Sequence, residues 1–209
     1  MSDTLIDLLR HGIPEGGRAY RGHNIDDPLS EKGWAQMWAA VGGEAAESVP
    51  WTHIVSSPLI RCRDFAEALG TRHGLPVTVD ARFREVGFGC WEGRTPEQIQ
   101  HDNPDEYAAF FHDPVHSRPP GAEPLTDFVA RVASAFDDCL QAYAGKQVLV
   151  VAHAGVVRAL MAHVLQADLA CAYRVVVNNA CFTRCRLGER GLLLEFHNCP
   201  VLSGGLRLP

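Results

Sequence analysis

Apolar positions in this 209-residue chain fall into short blocks, and the spacing within a block changes from continuous to helical and back. Leu5-Ile6-Asp7-Leu8-Leu9, His53-Ile54-Val55-Ser56 and Val77-Thr78-Val79 are short runs that predict strands. Val148-Leu149-Val150-Val151-Ala152 is the most strand-like of all, continuous rather than alternating, as expected of a parallel strand covered on both faces. Helical spacing joins Trp34, Met37, Trp38 and Val41, then Leu59, Cys62, Ala66 and Leu69, then Leu125, Phe128, Val129, Val132, Phe136 and Leu140. Start signals agree: Ser30 reads as one N-cap, and Ser57 as another with Pro58 at the first helical position. Gly145 suits a C-cap for the long helix.

Two further short helices are predicted from Thr95 to about His112, the first opened by a capping box at Thr95 and Gln98, the second by Asn103-Pro104. Pro114, Pro119, Pro120 and Pro124 make the following stretch irregular, so residues 90–124 read as an inserted lid rather than a separate domain. A helix from Val156 to about Leu165 follows the strong strand at once. Val175 to Val177, Phe182 to Leu187 and Leu192 to Phe196 read as closing strands, the last two joined by a Gly188-Glu189-Arg190-Gly191 turn. Strands alternating with helices predict one α/β domain over 1–209, a mainly parallel sheet with helices on both faces.

Composition narrows the class. The chain is 46% hydrophobic and 21% charged, with no apolar run near the ~20 residues a membrane span needs. A net charge of −6 and the absence of any Lys/Arg block argue against a nucleic-acid-binding face. Met1-Ser2-Asp3-Thr4 does not open a secretory signal, and seven cysteines without CxxC pairing fit a reducing compartment, so a cytoplasmic protein is expected. Cys62, Cys139, Cys171, Cys181 and Cys185 read as core filling, while Cys90 and Cys199 lie nearer loops.

Against that acidic background, the strand ends carry unusual chemistry. Arg10 and His11 follow the first strand, Arg61 the second, Glu85 the third and His153 the fourth. In open parallel sheets, ligands bind beyond the carboxyl ends of the strands, so all five residues converge on one rim. Two arginines and two histidines, with helix starts behind two of the strands, suit a doubly charged group such as phosphate. An imidazole beside two guanidiniums resists protonation and stays nucleophilic, and the lone glutamate is suited to protonate a leaving alkoxide. Arg18 and Arg21 add positive charge from the 12–28 loop. His112-Asp113-x-x-His116 lacks a third clear metal ligand.

LLRHG at 8–12, SSPLIR at 56–61, FREVGFGCWEG at 83–93 and VVAHAG at 150–155, in that order, resemble the histidine phosphatase superfamily, the phosphoglycerate mutase-like enzymes. The resemblance implies a three-layer αβα sandwich and a two-step mechanism through a phosphohistidine. It implies His11 as the nucleophile, Arg10, Arg61 and His153 as the phosphate pocket, and Glu85 as general acid and then base. Arg21 and Ala154 would complete the substrate contacts, and neither metal nor other cofactor is implied. Many members carry Asn where this chain has Gly17, so that phosphate contact passes to another group, with Arg21 the candidate. The stretch from Cys90 through Phe128 resembles the α-ribazole phosphatase branch, and points to hydrolysis of a small phosphorylated substrate such as α-ribazole 5′-phosphate. Phosphoglycerate mutase-type transfer and silent phospholigand binding are the alternatives. The late strands offer an edge for a homodimer.

Overall fold

The computed structural model describes residues 2–202. Along these residues run β1 (Thr4–Arg10), α1 (Glu31–Ala40), β2 (His53–Ser56), α2 (Ile60–His73), β3 (Val77–Val79), α3 (Pro96–Asp102), α4 (Pro104–His112), α5 (Leu125–Ala142), β4 (Gln147–Ala152), α6 (Ala154–Leu165), β5 (Phe182–Gly188) and β6 (Gly191–Cys199). The strands form one sheet in the order β3-β2-β4-β1-β5-β6. The first four are parallel to one another, and β5 and β6 join antiparallel.

The continuous apolar run predicted to be covered on both faces is the central strand β4, hydrogen-bonded between β2 and β1, with Val148 to Ala152 all fully buried. Its alternate residues feed two cores. Val148 and Val150 join Ile6, Leu8, Phe128 and Phe136 under α5 and α6; Leu149 and Val151 join Leu9, Met37 and Phe65 under α1 and α2. These are the three layers. The two tryptophans of α1 pack on Phe65, with ring centroids 5.9 Å away for Trp34 and 5.1 Å for Trp38.

Residues 90–124 are fixed by packing. Trp91, Ile99 and Phe110 are fully buried, and burial of a side chain such as Phe110 is worth about 1.5–3 kcal/mol. The capping box at Thr95 forms as read, with Gln98 N–H donating to the Thr95 hydroxyl at 3.2 Å. No helix among the described residues is long and apolar enough to cross a membrane.

Some local expectations are corrected. The second helix starts at Ile60, not Pro58: the Ser57 hydroxyl, bonded to His153 at 2.7 Å, accepts from Leu59 N–H at 3.3 Å, and Asp26, from the 12–28 loop, accepts from Ile60 N–H at 2.8 Å. Val175 to Val177 is not a strand, since the Val175 and Val177 carbonyls accept from Arg158 and Arg10 rather than from a neighbouring strand. The long helix ends at Ala142 with Tyr143 as its cap, and Gly145 instead takes the positive φ of 72° in the turn leading to β4. Cys199 ends β6 rather than lying in a loop, and Cys171 sits in a 3-10 turn, Leu169–Arg174.

Candidate active site

β1 delivers Arg10 and His11 to the carboxyl edge of the sheet. Gly12 then lies so close to Gly33 of α1 that a Cβ at either position would overlap the opposing backbone. This contact is why a glycine must follow the histidine. His11 is held at both backbone ends: its N–H donates to Ala152 O at 3.0 Å, and its carbonyl accepts from Asn179 Nδ2 at 2.9 Å. The ring is fixed as well. Nδ1 is 2.7 Å from Gly12 O, and a carbonyl only accepts, so Nδ1 carries the proton and Nε2 keeps a free lone pair. Burial, then the charges of Arg10 and Arg61, hold the His11 pKa well below the ordinary histidine range.

His153 caps α6 by its backbone and is fully buried, with its ring centroid 5.2 Å from that of His11. Its Nε2 shares a 2.7 Å hydrogen bond with the Ser57 hydroxyl. Burial first, and Arg61 next, push the His153 pKa well below the usual range. The Cys62 thiol packs against the same ring, 3.6 Å from Nε2; burial raises its pKa, so it is an inert neighbour rather than a competing nucleophile.

The arginines are held by backbone carbonyls. Arg61 is 1% exposed and donates to Gly22 O and Ile25 O, both at 3.0 Å, with Asp26 at 3.8 Å. Arg10 donates to Val177 O, and burial, partly offset by Glu85, lowers its pKa to about 10. The Nε atoms of both arginines are buried with no hydrogen-bond partner among the described residues. Buried donors left open beside two neutral imidazoles make a socket for an anion with several oxygens.

Glu85 reaches the same place from the stretch after β3. Its carboxylate accepts from Val86 N–H at 3.0 Å and from Gly155 N–H at 3.2 Å, at the start of α6. A Cβ on Gly155 would collide with that carboxylate, so the glycine after His153-Ala154 lets the acid approach. The alternative reading of Glu85 as a partner for Arg82 or Arg84 does not hold for Arg82, which pairs with Asp80 at 2.7 Å and Asp138 at 2.6 Å. The Glu85 stretch is clamped by Arg131 of α5, which donates to the carbonyls of Arg82, Arg84 and Glu85 and pairs with Glu123 at 2.7 Å.

A cavity of about 430 Å³ opens here, lined by Arg10, His11, Arg61, Glu85, Arg21 and Ala154 among others. His153 lies behind it. Arg21 lines the cavity, but its Nε donates to Asp27 at 2.8 Å and its Nη2 to Glu15 O and Gly17 O. It therefore braces the loop around Gly17. The residues 90–124 contribute nothing to the lining; Ile13 to Gly22, Phe88 and Tyr173 form the walls instead. Sequence reasoning missed Ser57, Arg131, Arg158, Tyr173 and Asn179. Ser57 was hidden by its resemblance to a cap, and the others carry no signal outside their tertiary contacts. Among the described residues, no cluster of three or more His, Cys, Asp and Glu side chains is placed to hold a metal ion.

Known proteins resemble this chain in sequence and fold. The chain is 34% identical over 173 residues to the bifunctional protein Rv2228c of Mycobacterium tuberculosis, covering 82% of this chain and 47% of that one. It thus spans about half the length of that relative. It is 33% identical over 150 residues to a probable phosphoglycerate mutase, GpmB, of Citrobacter koseri, covering 71% of this chain and 68% of the relative. Among solved structures, the mycobacterial glucosyl-3-phosphoglycerate phosphatase Rv2419c aligns with a TM-score of 0.82 at 30% identity, over 94% of this chain and 99% of that one. The α-ribazole phosphatase of Shigella flexneri shares the fold, with a TM-score of 0.78 at 23% identity, over 96% of this chain and 99% of the other. The profile of the histidine phosphatase superfamily, branch 1, matches residues 6–200, and the chain belongs to that family.

Proposed function

We propose that the chain hydrolyses a phosphomonoester through a phosphohistidine at His11. The observation that carries this reading is the state of the His11 ring: buried, kept neutral, and with Nδ1 tied to Gly12 O so that Nε2 has the lone pair. The open donors of Arg10 and Arg61 hold the phosphoryl oxygens. His11 Nε2 attacks phosphorus, the bond to the ester oxygen breaks, and Glu85 gives the leaving alkoxide a proton. The Glu85 carboxylate then takes a proton from water, whose oxygen attacks phosphorus. The P–N bond breaks, and free phosphate and neutral His11 are restored. The enzyme needs no metal for either step.

The substrate is a small phosphorylated metabolite. Likeness to a glucosyl-3-phosphoglycerate phosphatase at 30% identity supports phosphatase chemistry, and the Cys90 to Phe128 stretch keeps α-ribazole 5′-phosphate as a candidate. Mutase-type transfer is the second reading, supported by the likeness to a probable phosphoglycerate mutase.

One assay separates these readings: release of free phosphate from 4-nitrophenyl phosphate and from alkyl phosphates in the presence of a chelator. The expected result is turnover that falls by about 10³-fold or more in His11→Ala. Glu85→Gln should slow alkyl phosphates far more than the aryl ester, whose leaving group needs little protonation. Full activity in His11→Ala, or dependence on added metal, overturns the reading. Phosphate moved between the hydroxyls of a glycerate, without release, establishes the mutase.

A further inference from the structure

The second imidazole of the site has one proton to place, and its surroundings decide on which nitrogen. His153 is fully buried, and burial with the charge of Arg61 keeps the ring neutral, so it carries one N–H and one lone pair. A neutral ring that binds a phosphoryl oxygen must offer the N–H to it. Which nitrogen donates is set by what the other one meets.

What the other nitrogen meets is Ser57. Strands β2 and β4 run parallel side by side with Ser56 level with Val151, and Ser57 N–H donates to Val151 O at 3.0 Å. The first residue beyond β2 is thereby fixed beside the first residue beyond β4, which is His153. Ser57 is fully buried, and its hydroxyl lies 2.7 Å from His153 Nε2. Leu59 N–H donates to the same oxygen at 3.3 Å. Among the described residues, these two are the hydrogen-bond partners of the hydroxyl.

The direction of the Ser57–His153 bond follows from the donors present. The Leu59 amide can only donate, so it takes one lone pair of the hydroxyl oxygen. If Nε2 also donated, the hydroxyl would accept twice and its own proton would be buried with no acceptor, a costly arrangement. With the hydroxyl donating to Nε2, every group at this junction is matched. The single proton of the neutral ring then sits on Nδ1. Cys62 does not take it up: Sγ is nearly equidistant from the two ring nitrogens, 3.7 Å from Nδ1 and 3.6 Å from Nε2, so it lies over the ring and not along the N–H. The thiol proton is itself donated to Ala152 O at 3.3 Å.

We propose that Ser57 is a positioning residue that fixes the His153 tautomer, so that Nδ1–H is the donor this ring gives to the transferring phosphoryl group. The proposal rests on the phosphatase reading above for the use made of that proton. It gives the two histidines the same tautomer by opposite means. His11 donates from Nδ1 to Gly12 O and keeps Nε2 free to attack; His153 accepts at Nε2 from Ser57 and keeps Nδ1–H free to bind. With ring centroids 5.2 Å apart, one nucleophile and one donor serve a single phosphoryl group.

The test is the nitrogen-15 spectrum of histidine-labelled protein at a pH well above the ordinary histidine pKa of about 6.5, with His153 assigned by its loss in His153→Gln. The parent should show the His153 proton on Nδ1, with Nε2 unprotonated and hydrogen-bonded. In Ser57→Ala the ring should become a mixture of tautomers, and in Ser57→Thr, which keeps a hydroxyl, Nδ1–H should persist. Calorimetric affinity for inorganic phosphate should fall by about tenfold to a hundredfold in Ser57→Ala, less than the full loss of one preorganised donor, and largely recover in Ser57→Thr. A proton on Nε2 in the parent overturns the proposal, even where Ser57→Ala does not fold. So does an unchanged Nδ1–H tautomer, or an unchanged phosphate affinity, in folded Ser57→Ala. None of these measurements needs turnover. Failure to hydrolyse 4-nitrophenyl phosphate therefore overturns the phosphatase reading, while the spectrum decides the tautomer.

Discussion

β1 carries two buried polar centres only three residues apart, and they are opposites. At Asp7, fully buried mid-strand, every contact is closed: Arg184 Nε donates at 2.6 Å and Nη2 at 3.1 Å, Trp51 Nε1 at 2.8 Å and Gln147 Nε2 at 2.9 Å. Arg184 is the direct cross-strand partner of Asp7 on β5, so charge and register reinforce each other. At Arg10 and His11 the contacts are left open: among the described residues two guanidinium Nε atoms are buried without hydrogen-bond partners, and Glu85 offsets the burial of the Arg10 cation only in part. The first centre resembles a finished fold, the second half of a complex. A buried polar group that is satisfied holds the sheet together; unsatisfied donors on arginines that line a cavity suit a ligand.

Three experiments bear on this contrast. The largest effect is expected for Arg10→Gln, which should lower kcat/KM for an aryl phosphate by about 10²–10³-fold, as for loss of one preorganised donor to a developing oxyanion. Its unfolding free energy in urea should stay within about 1 kcal/mol of the parent or rise, because the buried cation removed has no carboxylate in direct contact among the described residues. A large loss of stability with little loss of rate would reverse the assignment of the two centres.

Asp7→Asn should do the opposite. The amide places a donor against a shell made wholly of donors, and unfolding should become easier by about 3 kcal/mol while activity per folded molecule stays at the parental level. A variant as stable as the parent would show that the Asp7 network is not structural.

The smallest effect per step is the pH dependence. His11 and His153 have pKa values lowered in the folded state, by burial first and by arginine charges next, against about 6.5 when unfolded. Below about pH 6.5 the unfolded chain therefore binds more protons than the folded one. Their contribution is fully present above that pH and is lost as pH falls toward the folded pKa values, by up to about 1.4 kcal/mol per unit for each histidine. Urea titrations between pH 7 and 5 should show this slope, and His11→Asn should make it shallower. The acid limb of kcat/KM for the free enzyme should lie below pH 6.5. Equal slopes in parent and variant, or an acid limb at 6.5, would show that His11 is not held neutral by its surroundings.

How much of the site could be read depends on where its residues stand in the chain. Arg10, His11, Arg61, Glu85 and His153 each follow a strand, and a parallel sheet carries all strand ends to one edge, so topology alone brings them together. Ser57 and Asn179 work across 96 and 168 residues of sequence, onto His153 and His11. Nothing near them in the chain announces those partners. Ser57 followed by Pro58 reads as a helix start, and its hydroxyl does accept from Leu59 N–H, but the same hydroxyl also holds the His153 ring, a partner no local pattern reveals. Val175 to Val177 looked like a strand because apolar β-branched residues favour extended backbone, which Val175 has; two arginines claimed the carbonyls a strand needs. Arg21 drew attention as a substitute at Gly17, yet most of its donors hold the loop in shape.

The sequence by itself determined the periodicities, and through them the alternation of strand and helix, the buried central strand and the rim of five chemical groups. These are short-range properties, set by which residues repeat at two or at three to four positions. The tertiary structure alone decided which donors are closed and which are open, that Arg131 clamps the Glu85 stretch, and that Arg158 lines the cavity with no carboxylate partner among the described residues. Those are long-range properties, because hydrogen-bond satisfaction at a buried atom depends on every segment packed around it.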